Sequence, residues 1–371
     1  QGVRRPGYAA DDRTTTWVAP ELVCEVRFKE WTDEPLLRQP VFLRLRDDKP
    51  PAECVRADRT LAEVAVSQEP ERPVPREVRF SNLDKVFWRE EGYTKGDLVE
   101  YYRAIAPWLL PWLRDRPVVL TRYPDGIEGK SFFQKDAPKF IPEWLRTERM
   151  WSEHARRDID YFVCDDLPSL LYLANMATIP LHVWASRITA LDRPDWCVLD
   201  LDPKGAPLTQ VVEVALAVRA LCLEIGLPSY LKTTGSSGLH VLLPLAGLFS
   251  YDQSRSFGGL LSRVIVAEQR EIATIARTIE RRDGKVYLDF VQNGHGRLLV
   301  SPYSVRPLPA APVSMPLTWD EVTPALDLRD YTMLNAPARM AALAGDPCLP
   351  VLDDRPDLIS VLEKLQARLG E

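Results

Sequence analysis

Residues 198–205 read VLDLDPKG, an apolar run that carries two carboxylates one residue apart, Asp200 and Asp202. Buried strands avoid isolated carboxylates, because stripping water from a charge costs several kcal/mol unless it is paired or metal-bound. Strand side chains alternate between faces, so Asp200 and Asp202 share one face and Leu201 points into the opposite layer. Two acids about 7 Å apart on one face can hold divalent cations. The plainer reading is a strand end running into a turn, closed by Pro203 and Gly205, with both acids solvated. The rest of the chain has to decide between them.

The chain has 371 residues, enough for two or three domains, and is 46% hydrophobic and 27% charged. No apolar run reaches the roughly 18 residues that span a bilayer, and QGVRRPGYAADDRTTTW at the start lacks the apolar core of a signal peptide. Cysteines 24, 54, 164, 197, 222 and 348 have no CxxC spacing and read as free thiols in a reducing compartment. Four histidines without a Cys/His cluster argue against structural zinc. A net charge of −6 argues weakly against nucleic acid, because the charge of the binding face is what counts.

Residues 1–50 contain short β-like runs, ELVCEVRFKEWT and PVFLRLRDDK, that read as part of a β-barrel. Residues 50–76 are proline-rich and charged, as linkers are. The expected domains are 1–52, a linker over 53–76, and 77–371. From residue 77 the pattern is mixed α/β. A capping box at Thr94 and Asp97 starts a helix whose apolar face is Leu98, Tyr102, Ile105 and Leu109. PVVLTRY and WCVLDLDP read as strands, with helices over DDLPSLLYLANMATI and LTQVVEVALAVRALCLEIG. SYLKTTGSSGLHVLLPL reads as strand, turn, strand, and QSRSFGGLLSRVIVAEQREIATIARTI as mainly helical. KVYLDFVQN and RLLVSPYSV, separated by GHG, could pair as a hairpin.

Four features join the acid pair. Asp289 in KVYLDFVQN is a third acid inside an apolar strand, and two-metal sites need bridging carboxylates. TTGSSGLH (233–240) is a turn in which Gly235 and Gly238 flank Ser236 and Ser237, able to aim backbone N–H groups at an anion. His240 follows it, placed to contact phosphate or to be a satisfied core residue. Arg306 in SPYSVRP could bind phosphate bidentately or form a surface ion pair. Together they describe metal-dependent handling of a polyphosphate. YPDGIEGKS imitates a P-loop, but Pro124 stands where its first glycine belongs. VLDLDPKG imitates a haloacid-dehalogenase nucleophile motif but has Lys204 where that motif wants Thr or Val.

Residues ~77–350 resemble the polymerase domain of bacterial DNA ligase D, of the archaeo-eukaryotic primase superfamily. The stretches that carry the resemblance include SNLDKVFW, GYTKGDLVEYY, GKSFFQKDAP, DDLPSLLYLANMATIPLHVWASR, LKTTGSSGLHVLLPL, KVYLDFVQN and PYSVRPLPAAPVSMPL, in the family's order. The resemblance implies an α/β (α+β) fold with a primase-type core on an RRM-like sheet. It implies addition of nucleotides, preferably ribonucleotides, to DNA ends and gaps during non-homologous end joining with Ku, in the bacterial cytoplasm at the nucleoid. Two Mn²⁺ or Mg²⁺ ions would sit on Asp200, Asp202 and Asp289. Ser236, His240 and Arg306 would hold the triphosphate, and His182 would lie near it. Phe132 or Phe133 would stack on a base, against the alternative of core packing. Lys85, Lys95 and Asn82 would form a pocket for the 5′-phosphate across a gap. One departure is Ser237, where the family more often has lysine; another is RLLVSPYS, a variant of the strand before Arg306.

TWVAPELVCEVRFKEWTDEPLLRQPVFLRLRDDKPP resembles the end of the OB-fold domain of an ATP-dependent DNA ligase, with RLRDDK matching its last motif. The adenylated-lysine motif KxDG is absent, so no ligase activity is expected. The chain reads as the C-terminal part of a ligase-then-polymerase protein, or the segment as a DNA-contacting appendage. Two other functions compete: a phosphatase using Asp200 as covalent nucleophile, and a non-catalytic DNA-end-binding module.

Overall fold

The computed structural model describes residues 22–28, 30–31, 37–38, 40–46, 76–152 and 155–370. The chain divides into two compact units, residues 1–75 and 76–371. In the first, β1 (Cys24–Arg27), β2 (Glu30–Trp31), β3 (Leu37–Arg38) and β4 (Val41–Leu45) form two antiparallel ladders, β1 with β4 and β2 with β3. The remainder of the expected barrel and the linker over 53–75 lie outside the described residues.

The second unit opens with β5 (Val86–Trp88) and β6 (Tyr93–Thr94), a short hairpin that leads into α1 (Lys95–Leu113). The expected capping box is present. Thr94 accepts from the Asp97 N–H, and Asp97 accepts from the Thr94 N–H at 2.7 Å. There follow β7 (Pro117–Arg122), β8 (Phe132–Gln134), β9 (Thr147–Ser152), β10 (Arg157–Val163), α2 (Leu167–Asn175) and β11 (Thr178–Val183). Next come β12 (Trp196–Asp202), α3 (Leu208–Ile225), β13 (Tyr230–Thr233), β14 (Leu239–Pro244) and α4 (Tyr251–Glu268). The chain ends with β15 (Ala273–Thr274), β16 (Val286–Asp289), β17 (Leu299–Val300), β18 (Pro316–Leu317), α5 (Ala336–Ala342) and α6 (Leu358–Gly370).

Two sheets organise this unit. The first runs β17-β11-β7-β10-β9, with β8 also paired to β7; the second runs β15-β16-β12-β14-β13-β18. Leu199, Leu201, Leu231, Leu239, Val241 and Leu288 are fully buried. They occupy one face of the second sheet, where α3 and α4 pack against it. Alternation then gives the opposite face to Asp200, Lys232, His240 and Asp289.

Two expectations fail. KVYLDFVQN and RLLVSPYSV do not form a hairpin: β16 joins β12 in the second sheet and β17 joins β11 in the first. Residues 290–298 carry the chain between sheets, and Asn293 holds the crossing by donating to the Val198 carbonyl at 2.7 Å. The helix expected to run through Ile279 stops at Glu268, because Ala273–Thr274 turn into a parallel pair with Val286–Tyr287.

Candidate active site

The site is a row written across four strands of the second sheet. On β12, Asp200 stands directly opposite Asp289 of β16 on one side and His240 of β14 on the other. His240 in turn faces Lys232 of β13. Cross-strand partners have Cβ atoms about 4.5–5.5 Å apart, so the row reads cation, imidazole, acid, acid.

The two acids repel. Burial, and next the Asp200 charge, push the Asp289 carboxyl above the usual carboxylate range. Asp289 is steadied by the Val291 N–H at 2.9 Å and the Tyr287 hydroxyl at 3.3 Å. His240 Nε2 lies 3.4 Å from Asp200 Oδ1. Its Nδ1 is buried and has no hydrogen-bond partner among the described residues. Burial, then the Lys232 charge, pull this imidazole down to about 4, so it is neutral at pH 7.

Asp202 departs from the expected three-acid centre. Arg282 donates to its Oδ2 at 2.8 Å, and the Lys204 N–H approaches its Oδ1 at 3.2 Å. Arg282 itself stacks 3.9 Å from the Tyr287 ring centroid. Among the described residues no three His, Cys, Asp or Glu side chains gather to hold a metal. The physical reason is charge: a third carboxylate beside a repelling pair is better neutralised by the guanidinium than aimed at the other two. Asp200 and Asp289 do fit a divalent cation, since both offer hard oxygen donors and a cation between them relieves their repulsion.

The loop between β13 and β14 is shaped by close approach. A Cβ on Gly238 would lie 2.2 Å from the Leu201 carbonyl oxygen, and one on Gly235 (φ +68°) 2.6 Å from Arg306 Cγ. Glycine alone lets the loop sit against the acid strand and Arg306. The expected backbone anion nest is not presented. The Gly235 N–H donates to the Thr233 hydroxyl, and those of Ser236 and Gly238 to the Thr234 hydroxyl, at 3.1–3.3 Å. The exposed side chains of Ser236 and Ser237 are what the loop offers an anion.

Arg306 approaches from the segment after β17. Its Nη1 donates to the Thr234 carbonyl at 2.7 Å, and its Nε is buried with no partner among the described residues. Its charge reaches His182 of the first sheet as well as His240 and Lys232 of the second. His182 is pulled down to about 4 by burial, then by Arg306. Thr121 Oγ1 lies 3.1 Å from its Nε2, and the Phe133 ring sits 5.8 Å from its centroid. Phe132 and Phe133 are 45% and 64% exposed, which rules out core packing for both. Arg122 lies over the Phe132 ring, 5.3 Å from its centroid.

The lysines occupy a separate corner. Lys95 is nearly buried, with its ammonium donating to the Ser81 carbonyl at 2.6 Å and to Asn175 Oδ1 at 2.7 Å. Lys85 pairs with Asp125 at 2.7 Å. Burial, then Arg122, then Lys85 lower the Lys95 ammonium, so the three cations share one neighbourhood. Asn82, at φ +53°, makes the turn whose carbonyl accepts the Lys85 N–H at 3.1 Å.

A family model described as LigD, primase-polymerase domain, matches residues 94–348. The chain belongs to the LigD primase-polymerase family. A second model, ATP dependent DNA ligase C terminal region, matches residues 3–49. The chain is 31% identical over 346 residues to the multifunctional non-homologous end joining protein LigD of Pseudomonas aeruginosa, covering 91% of this chain and 41% of that one. To the LigD of Mycolicibacterium smegmatis it is 34% identical over 294 residues, 77% of this chain and 36% of that one. The chain thus spans less than half the length of either relative. The polymerase domain of Mycobacterium tuberculosis ligase D, solved in complex with DNA, superposes with a TM-score of 0.71 at 30% identity. The match covers 76% of this chain and 100% of that domain, so the fold is the LigD polymerase fold.

Lys232, Arg282 and Asn175 were not anticipated from sequence. Lys232 carried a signal of the same kind as the aspartates, a charge inside an apolar strand. Arg282 stands in ERRDGK, which looks like any solvated charge run.

Proposed function

We propose that the chain is a nucleotidyltransferase of DNA repair, a primase-type polymerase that extends DNA 3′ ends and fills gaps in non-homologous end joining. End joining is the named role of its relatives, and DNA is the partner of the matched mycobacterial domain. The observation that carries the reading is the opposed pair Asp200 and Asp289, flanked in one row by His240 and Lys232. Asp200 and Asp289 would hold a divalent ion, and Asp202 would join them once Arg282 lets go. When bound, Mn²⁺ or Mg²⁺ supplies charge neutralisation and a more acidic primer hydroxyl. Arg306, Ser236 and His240 hold the triphosphate, with Arg306 already fixed through Thr234. Phe132 or Phe133, exposed on opposite faces of β8, stacks on a base, with Phe133 the one that neutral His182 braces. Lys85, Lys95 and Asn82 take the 5′-phosphate on the far side of a gap. Ribonucleotide preference, partnership with Ku and work at the bacterial nucleoid belong to the same reading; no described helix is long and apolar enough to cross a membrane.

The test is extension of a primed, gapped DNA with ATP or dATP, with Mn²⁺ or Mg²⁺ and with chelator. Metal-dependent extension favouring ATP is expected. Binding of DNA ends without extension would leave a non-catalytic module instead. Phe133→Ala should raise the nucleotide KM about tenfold, since a stacked base is worth roughly 1–3 kcal/mol.

A further inference from the structure

Lys232 is fully buried, and none of the carboxylates among the described residues lies within ion-pair distance of its ammonium. Its hydrogen-bond partners are neutral: Ser314 Oγ at 2.6 Å and the Thr233 carbonyl at 3.4 Å. A neutral donor could make both bonds. A charge held this way costs several kcal/mol of solvation that those oxygens do not return in full. Its surroundings add to the cost, because Arg306 is a second cation close enough to oppose it. Asp200, the acid that favours its charge, stands beyond His240 in the row.

The position explains what the charge can do. Ser314 ties the ammonium to the floor of the loop. The Ser314 hydroxyl donates to the Thr233 carbonyl at 2.9 Å, and the Ser314 N–H donates to the Ser304 carbonyl at 3.0 Å, two residues before Arg306. Thr234 above it holds Arg306, and Ser236 and Ser237 crown the same loop. When protonated, Lys232 thus places a positive charge beneath the cradle, in a low-dielectric floor where its field is little screened.

We propose that Lys232 is a positioning residue for the polyphosphate of the incoming nucleotide: a buried, fixed cation that makes the cradle prefer highly charged anions without touching them. This rests on reading the cleft as a nucleotide site. Its field acts on every charge above it, so its contribution grows with the number of phosphates. Arg306, by contrast, is placed to give directional hydrogen bonds to one group.

The experiment measures binding of inorganic tripolyphosphate and of orthophosphate, in Mg²⁺ at pH 6 where the lysine is protonated, to the full chain and to Lys232→Met by calorimetry, with melting temperatures for both. Methionine fills much the same volume without the charge. Expected for Lys232→Met are a tripolyphosphate Kd about tenfold weaker, an orthophosphate Kd changed about threefold or less, and a melting temperature at or above wild type. Extension assays should show the loss in the KM for ATP more than in kcat. Equal weakening of both anions, or a melting temperature well below wild type, would make Lys232 a structural tie and overturn the proposal. Unchanged tripolyphosphate binding would overturn it too, leaving the nucleotide site intact. If wild type itself binds neither tripolyphosphate nor ATP, the nucleotide reading of the cleft fails together with it.

Discussion

The acid row and the lysine corner both bring like charges together, and they do it by different means. Lys85 and Lys95 are joined locally, through a short hairpin in which the Lys95 N–H donates to the Lys85 carbonyl at 2.8 Å. Asp200 and Asp289 come from distant strands and meet only through sheet register. The corner relieves its charge with one acid, Asp125, and with neutral oxygens from Ser81 and Asn175. The row leaves Asp200 and Asp289 facing each other, while the guanidinium of Arg282 goes to Asp202 beside it. The corner is thus neutralised by groups of its own, whereas the two facing acids of the row keep a repulsion that a bound cation would relieve.

The largest expected effect breaks the row. Asp289→Ala should cut nucleotide addition on the order of 1,000-fold, the worth of several kcal/mol of metal-assisted stabilisation. Binding of gapped DNA should hold, because the lysine corner is untouched. Extension within tenfold of wild type would remove Asp289 from the chemistry. The next effect breaks the corner. The double variant Lys85→Ala, Lys95→Ala should erase a preference of about 10- to 30-fold for gapped DNA with a 5′-phosphate over a 5′-hydroxyl. If the variant still discriminates, the phosphate is read elsewhere.

What could be read in sequence follows the same division. The Thr94–Asp97 capping box, the helix it starts and Asp200 with Asp202 on one face are short-range consequences of spacing, and all stand in the fold. The glycines of TTGSSG marked a turn, but not that Thr233 and Thr234 would occupy its N–H groups, which depends on hydroxyl rotamers within the loop. That Asp202 would turn to Arg282 was not legible, because the partner is distant in sequence and sits in an unremarkable basic run. The failed hairpin has a related cause: β16 and β17 each carry strand character, and only the competing partners β12 and β11 decide which sheet each joins.

A third prediction separates the buried cation of the row from the fold. Burial, then Arg306, lower the Lys232 ammonium to about 7, against about 10.4 in an unfolded chain. Between those values the unfolded chain binds more protons, so this group makes folding stability rise with pH through that window. Below pH 7 the ammonium is charged in both states and its full burial cost is felt. Lys232→Met should therefore gain most over wild type near pH 6–7 and lose the advantage by about pH 10.5. Urea midpoints at several pH values measure it, and a gain independent of pH would mean that packing, not charge, sets the difference.

The smallest expected effect lies inside the corner, between its two lysines. Lys85 is 40% exposed and its partner Asp125 is 72% exposed, so their ion pair is screened by water and contributes little. Lys85→Ala should change stability by less than about 0.5 kcal/mol. Lys95 differs, because its ammonium satisfies the Ser81 carbonyl and Asn175 Oδ1 from a nearly buried position. Asn175 also accepts from the Ser81 N–H at 3.1 Å and donates to the Arg79 carbonyl at 3.0 Å, so the ammonium closes a network. Removing it strands acceptors and should cost about 1–3 kcal/mol. Chemical denaturation of the two single variants reads this difference directly. Equal and negligible losses would put Lys95 on a par with Lys85, and the corner would be a pair of surface cations instead of one anchored lysine with an exposed companion. Unequal losses with equal loss of phosphate preference would keep both in the pocket, Lys95 setting its position and Lys85 swinging from Asp125 to the phosphate.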